Sequence, residues 1–160
     1  MKEKLLNKLN AQFADSIESV NEFRNELTVF IRKDDIAKVC MFLRDDEELR
    51  FDSCRDVCGS DQNRKPDRFE VIYNLFSLKN KFRLRLKVRV EEEHPHVPTV
   101  TNVWPTANFE EREAYDMFGI IFDGHPDMRR IYMPEEFEYY PLRKDFPLMG
   151  IPGSLPLPRK

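Results

Sequence analysis

Lys81–Val90 reads KFRLRLKVRV, and its alternation decides the fold. Phe82, Leu84, Leu86, Val88 and Val90 fall on one side of an extended chain, and Arg83, Arg85, Lys87 and Arg89 fall on the other. Strand side chains alternate with a period of two, so the segment is predicted to be a strand with one face in a core and one in water. The preceding RFEVIYNLFS, residues 68–77, is comparably apolar, and Leu78–Lys81 with Asn80 suits a turn, so the two segments form a hairpin. The cationic face raises nucleic-acid binding as a function. No aromatic interleaves those cations along the strand to stack a base, and a solvated or acid-paired sheet face is the commoner outcome.

Toward the N-terminus, FDSCRDVCGSD, residues 51–61, supplies another strand of mixed character. Asp34 and Asp35 offer an N-cap and first-turn charge for a helix with the stripe Ile36, Val39, Cys40 and Leu43, fading near Leu49. Residues 26–32 and 16–20 read as strands, and Leu5, Leu6, Leu9 and Phe13 recur at helical spacing within residues 2–14.

Toward the C-terminus the texture changes. EEEHPHVP, residues 91–98, is broken by two prolines and reads as an irregular linker, followed by the short apolar segment TVTNVW, residues 99–104. TANFEEREAYDMF, residues 106–118, is predicted to be a helix ended by Gly119, with Asn108 and Glu111 in the form of a capping box and Arg112 able to reach Asp116. Beyond it, residues 119–160 hold seven of the 11 prolines, and no periodicity lasts. Phe122, Ile131, Tyr132, Phe137, Tyr139, Tyr140 and Phe146 are costly to leave in water. The expectation is therefore an extended arm, able to span on the order of 140 Å, that orders against a partner.

These elements describe an α+β protein: a two-layer domain over residues 1–118, with a mixed sheet of about five strands and three helices, and a Pro-rich arm over residues 119–160. The 160 residues are one domain's worth, and the charge balance of 26 Lys and Arg against 29 Asp and Glu gives no global positive field. No run approaches the roughly 18 apolar residues of a membrane span, so a cytoplasmic location is the default. Cys40, Cys54 and Cys58 match no redox or zinc spacing and read as small buried groups. His94 and His96 form an H-x-H beside three glutamates, but zinc needs a third ligand. The acids Glu110, Glu111, Glu113 and Asp116 suit general acid/base work only where burial perturbs them.

EREAYDMFGIIFDGHPDMRRIYMP, residues 111–134, continued by PLRKDFPL, residues 141–148, resembles the signature of the 30-kilodalton subunit family of respiratory NADH:quinone oxidoreductase, complex I, also called its C subunit. VTNVWPTANF just upstream also matches, and the order of helix, strand pair, helix, three strands, helix and arm agrees with that family's fold.

The resemblance implies a non-catalytic subunit of a proton-translocating enzyme that carries electrons from NADH to quinone. It implies no cofactor in this chain, with FMN and iron–sulfur clusters in neighbouring subunits. Its implied partners are other peripheral-arm subunits, chiefly the quinone-site subunit, with no nucleic acid and with membrane association only through the complex. The implied location is the cytoplasmic face of a bacterial inner membrane, peripheral to it. Residue by residue, Glu111, Arg112, Glu113, Asp116 and Gly119 match the helix and its end; His125, Pro126, Arg129 and Arg130 match the turn after it; Pro141, Leu142, Arg143, Lys144 and Asp145 match the second box. Structural and docking roles follow for them, with Arg129, Arg130, Arg143 and Lys144 expected to pair with acids across an interface. An equivalent subunit of a ferredoxin-linked quinone reductase or membrane-bound hydrogenase fits the same signature. A metal hydrolase built on His94, His96 or His125 and a nucleic-acid module built on Arg83–Arg89 are the competing readings.

Overall fold

The computed structural model describes residues 1–153. In chain order it contains α1 (Lys2–Phe13), β1 (Ile17–Phe23), β2 (Glu26–Ile31), α2 (Ile36–Asp45), β3 (Ser53–Asp61), β4 (Phe69–Ser77), β5 (Phe82–Val90), β6 (His96–Pro98), α3 (Ala107–Phe118) and β7 (Ile121–Asp123). Five strands form one mixed sheet in the order β1-β2-β5-β4-β3. The predicted hairpin is β4–β5, paired from Phe69↔Val90 to Ser77↔Phe82, and β2 lies parallel to β5.

The alternation of β5 sets the core. Leu84, Leu86, Val88 and Val90 are buried in one row system with Leu27, Val29 and Ile31 of β2 and Val71, Tyr73 and Leu75 of β4. Leu5 and Leu9 of α1 and Ile36, Val39, Cys40 and Leu43 of α2 complete that cluster, so the helices cover one face of the sheet. Burying each such side chain contributes about 1.5–3 kcal/mol. Cys40 and Cys54 are buried and Cys58 is half-buried, all three unpaired thiols. Burial pushes Cys54 up to about 12 and Cys58 up to about 11, away from thiolate chemistry. At the β3 edge, Gly59 lets α3 approach, because a Cβ there would stand 2.6 Å from the Phe118 ring.

Several expectations need correction. β1 runs to Phe23 rather than residue 20, because Arg24 and Asn25 at φ 50° and 69° make a two-residue turn that pairs Phe23 with Glu26. α2 stops at Asp45, since the Asp46 carboxylate accepts from the Glu48 and Leu49 amides and turns the chain early. Residues 99–104 are turns that bury Val100, Val103 and Trp104, the indole donating to the Phe51 carbonyl at 3.1 Å. The proline-broken linker supplies β6, three residues paired in parallel with β7. An aromatic does accompany the cations of β5, because a cross-strand neighbour brings it: Phe30 of β2 lies under Lys87 and Arg89, at 5.6 and 4.7 Å. Phe76 of β4 lies in the same way under Arg55 of β3, at 4.8 Å.

The largest difference concerns the stretch after α3. Ile120 is fully buried, Phe122 and Phe137 are almost so, and β7 joins β6, so no physical seam separates residue 118 from 119. As far as residue 153, this stretch is folded onto its own domain rather than held out as an extended arm. Residues 154–160 of the expected arm lie outside the described residues. The expected reach counted contour length and overlooked the acids that gather the chain.

Candidate functional site: a carboxylate clamp at the end of α3

α3 needs no side-chain N-cap here: Thr106 precedes it without a capping bond, and the expected capping box is absent. Glu111 turns inward, accepting from the Thr99 hydroxyl at 2.5 Å and the Val100 amide at 2.8 Å, with no exposure to solvent. Burial outweighs those donors and pushes its carboxyl up to about 7. Glu110, half-buried beside Asp56, is likewise pushed up to about 7 by burial and then by that charge. Glu113 stays exposed and accepts from the Tyr132 hydroxyl at 3.1 Å.

Asp116, one turn further on, is the hub. Its Oδ2 accepts from the amides of Ile131, Tyr132 and Met133 at 3.1, 2.7 and 3.0 Å, and its Oδ1 accepts from Arg130 Nη1 at 2.6 Å. Burial opposes its ionisation, but the three amides and the guanidinium win and hold the carboxyl below the usual range. The expected Arg112–Asp116 pair therefore does not form. Arg112 donates instead to the carbonyls of Arg129 and Arg130, at 3.0 and 3.2 Å, tightening the same loop.

Gly119 ends the helix at φ +77°, as expected, and its missing side chain has a second use. A Cβ there would stand 2.6 Å from Arg143 Nη2 and 2.7 Å from the Tyr140 ring. In that space Arg143 donates to the Phe118 carbonyl at 2.7 Å and stacks over Tyr140 and Phe69, at 4.4 and 5.0 Å. The Leu142 amide donates to the Met117 carbonyl at 3.1 Å while its side chain is exposed, and Pro141 before it is half-buried. A second carboxylate holds the next residues: Asp61 accepts from the Lys144 amide and from Arg68, both at 2.8 Å, and Arg68 also pairs with Asp145 at 2.8 Å and with Glu92. Burial opposes ionisation of Asp61, but Arg68 and the amides bring it down to about 2.

The signature residues thus meet within the chain. Arg129 pairs with Asp127, Arg130 with Asp116, and Arg143 with a carbonyl and two rings, which corrects the expectation that these cations wait for acids of a partner. Among the described residues the Lys144 side chain has no ion pair. The histidines do not converge either. His94 is exposed, His96 lies 2.8 Å from Asp123, and His125 donates from Nε2 to the Asn108 carbonyl while its Nδ1 accepts from the Asp127 amide beside Pro126. Among the described residues no group of three His, Cys, Asp or Glu side chains is placed to hold a metal ion. Sequence reading missed Asp61, Arg68 and Thr99, and counted Tyr140 only among the aromatic anchors of the C-terminal stretch; an Arg at the start of a strand and an Asp at the end of another carry no periodic signal. Outward, this shoulder presents Phe109, Tyr132, Leu142, Leu148 and Met149.

The family described as respiratory-chain NADH dehydrogenase, 30 Kd subunit, matches residues 29–152, a span that contains every member of the clamp. The chain belongs to that family. Its relatives include the NADH-quinone oxidoreductase C subunit of Roseiflexus sp. (strain RS-1), 51% identical over 144 residues, or 90% of this chain and 83% of that one. The C subunit of Geotalea uraniireducens is 52% identical over 143 residues, 89% of this chain and 86% of that one. Among solved structures, a trypsin-resistant fragment of Nqo5 is similar with a TM-score of 0.66 and 32% identity, covering 79% of this chain and 98% of that one. A chain of the membrane-bound sulfane sulfur reductase, an archaeal respiratory membrane complex, is similar with a TM-score of 0.75 and 25% identity, covering 92% and 86%. Both share the α+β fold of this 30-kilodalton family member. Among the described residues no helix is long and apolar enough to cross a membrane.

Proposed function

We propose that this chain is a cofactor-free structural subunit of the peripheral arm of a proton-translocating NADH:quinone oxidoreductase, docked beside the quinone-site subunit. FMN and iron–sulfur clusters belong to its neighbours in this reading. It reaches the cytoplasmic face of a bacterial inner membrane only through them. The observation that carries it is the identity of 51% to an NADH-quinone oxidoreductase C subunit along 90% of the chain. The chemistry of the residues supports it: thiols pushed up by burial, histidines set apart from one another, and the carboxylates of Asp61 and Asp116 taken up by amides and guanidiniums. The clamp gives the C-terminal stretch a fixed shape, from which Leu142, Leu148 and Met149 project as apolar contacts for a neighbour. The signature residues act in docking by holding that shape rather than by touching the partner.

A tagged full chain recovered from gently solubilised native membranes tests this reading. The expected result is co-purification with a large assembly that carries flavin and iron–sulfur absorbance and reduces quinone with NADH. Recovery of the chain alone would overturn it. The likeness to the sulfane sulfur reductase chain favours a second reading, an equivalent subunit of another respiratory membrane complex. An assembly that takes electrons from reduced ferredoxin and not from NADH decides for that one.

A further inference from the structure

The helices cover one face of the sheet, and the other face has no layer over it among the described residues. Its rows follow from register. Glu26, Arg83 and Phe76 share one row, Thr28, Arg85 and Asn74 the next, and Phe30, Lys87 and Ile72 the third. The ladder break between Cys54 and Asp56 leaves Arg55 as an extra residue on β3 and aims it over Phe76. Arg55, Arg83 and Arg85 then line a cleft of about 320 Å³ with Glu26 and Asn74.

The charges on this face do not balance. Arg85 pairs with Glu26 at 3.0 Å, Lys87 with Glu70 at 3.0 Å, and Arg89 with Glu18 at 3.3 Å. Exposed Arg55 and Arg83 have no acid within ion-pair distance among the described residues. The cations also serve as covers. Phe30 is 8% exposed on a face open to water because Lys87 and Arg89 lie over its ring, and Arg55 shields Phe76 in the same way. A face made of aromatic rings under movable guanidiniums gains twice from a carboxylate-bearing partner: bidentate ion pairs, and apolar contact where the covers swing aside.

We infer that this open sheet face is a second docking surface, and that its occupant is an acidic segment of a protein partner seated on Arg55, Arg83 and Arg85. This surface is distinct from the C-terminal shoulder. Its extent suits a protein. Five strands of six to nine residues, at about 3.3 Å per residue and about 4.8 Å apart, present on the order of 600 Å². One side of a standard interface contributes roughly 800 Å². Nucleic acid fits less well, because Arg85, Lys87 and Arg89 are already paired with acids of this face, and the two cations left over, Arg55 and Arg83, suit one or two carboxylates better than a long run of phosphates.

The test uses the full chain and a synthetic peptide of alternating Glu and Asp as the probe, followed by backbone amide shifts. The expected result is saturable binding at concentrations up to about 1 mM, weakening with added salt. Shifts should fall on β3, β4 and β5, and affinity should drop at least about tenfold in the double variant Arg55→Glu, Arg83→Glu, with Lys38→Glu on α2 as an unaffected control. Both arginines are exposed, and an unchanged circular dichroism spectrum shows that the variant is folded. Absence of binding, shifts away from this face, equal binding by the double variant, or tighter binding of a DNA duplex would each overturn the inference.

Discussion

Arg130 and Asp116 meet at 2.6 Å on the shoulder of α3, with the aspartate fully buried and the arginine nearly so. The pair closes a loop of fourteen residues, and the same carboxylate takes three consecutive amides from its far side. One acid thus converts proline-rich chain into a fixed surface.

Replacing Asp116 with Ala leaves Arg130 buried without its counter-charge and three amides without an acceptor. Loss of one partner of a buried pair costs about 3–5 kcal/mol. Urea unfolding of the variant should show a midpoint lowered accordingly. An unchanged midpoint would show that the loop is held by other contacts.

Gly119→Ala forces a side chain into a left-handed position, at about 1–2 kcal/mol, and against Arg143 and Tyr140, each under 3.0 Å from the new Cβ. The second box should detach before the sheet unfolds. Limited trypsin digestion at Arg143 and Lys144 would then run faster than in the parent chain while the far-ultraviolet circular dichroism stays the same.

The buried carboxylates give stability a pH dependence of opposite sign in two windows. Glu111 is raised from 4.5 to about 7 in the folded chain, so folding takes up a proton between those values and stability falls as pH rises through that window. Asp61 is lowered from 3.8 to about 2, so its contribution is present above about 4 and is lost as pH falls toward 2. Thermal unfolding of Glu111→Gln should flatten the upper slope and leave the acid limb in place. An unchanged upper slope would assign it to another group, with Glu110 as the next to replace.

Leu148 and Met149 are exposed and touch nothing that holds the domain. Changing both to Glu should alter unfolding stability by less than about 0.5 kcal/mol. The share of chain recovered in the membrane assembly should fall sharply, as quantified by mass spectrometry of solubilised membranes. Full recovery would remove these residues from the docking surface.

Much of the fold was legible because it rests on periodicity. The β5 alternation predicted its own buried row, and the α2 stripe of Ile36, Val39, Cys40 and Leu43 is buried as read. Gly119 was legible for a local reason, since a helix commonly ends on a residue at positive φ. The clamp was not legible as a clamp. Its residues stood out in the family signature, yet nothing near Asp116 in the chain announces that Arg130 and the amides of 131–133 return to it.

What the sequence determined alone is therefore the set of elements and the face each buries, because the side-chain period of a strand or helix is a local property of the backbone. Fourteen-residue returns, the inward turn of Glu111 away from a capping role, and the seating of Arg143 in the space left by Gly119 were decided by tertiary structure. A charged side chain chooses among partners by burial and distance, and both exist only once the layers have packed. The same packing laid Phe30 beneath Lys87 and Arg89 of β5, and Phe76 beneath Arg55 of β3, cations that look bare in the sequence.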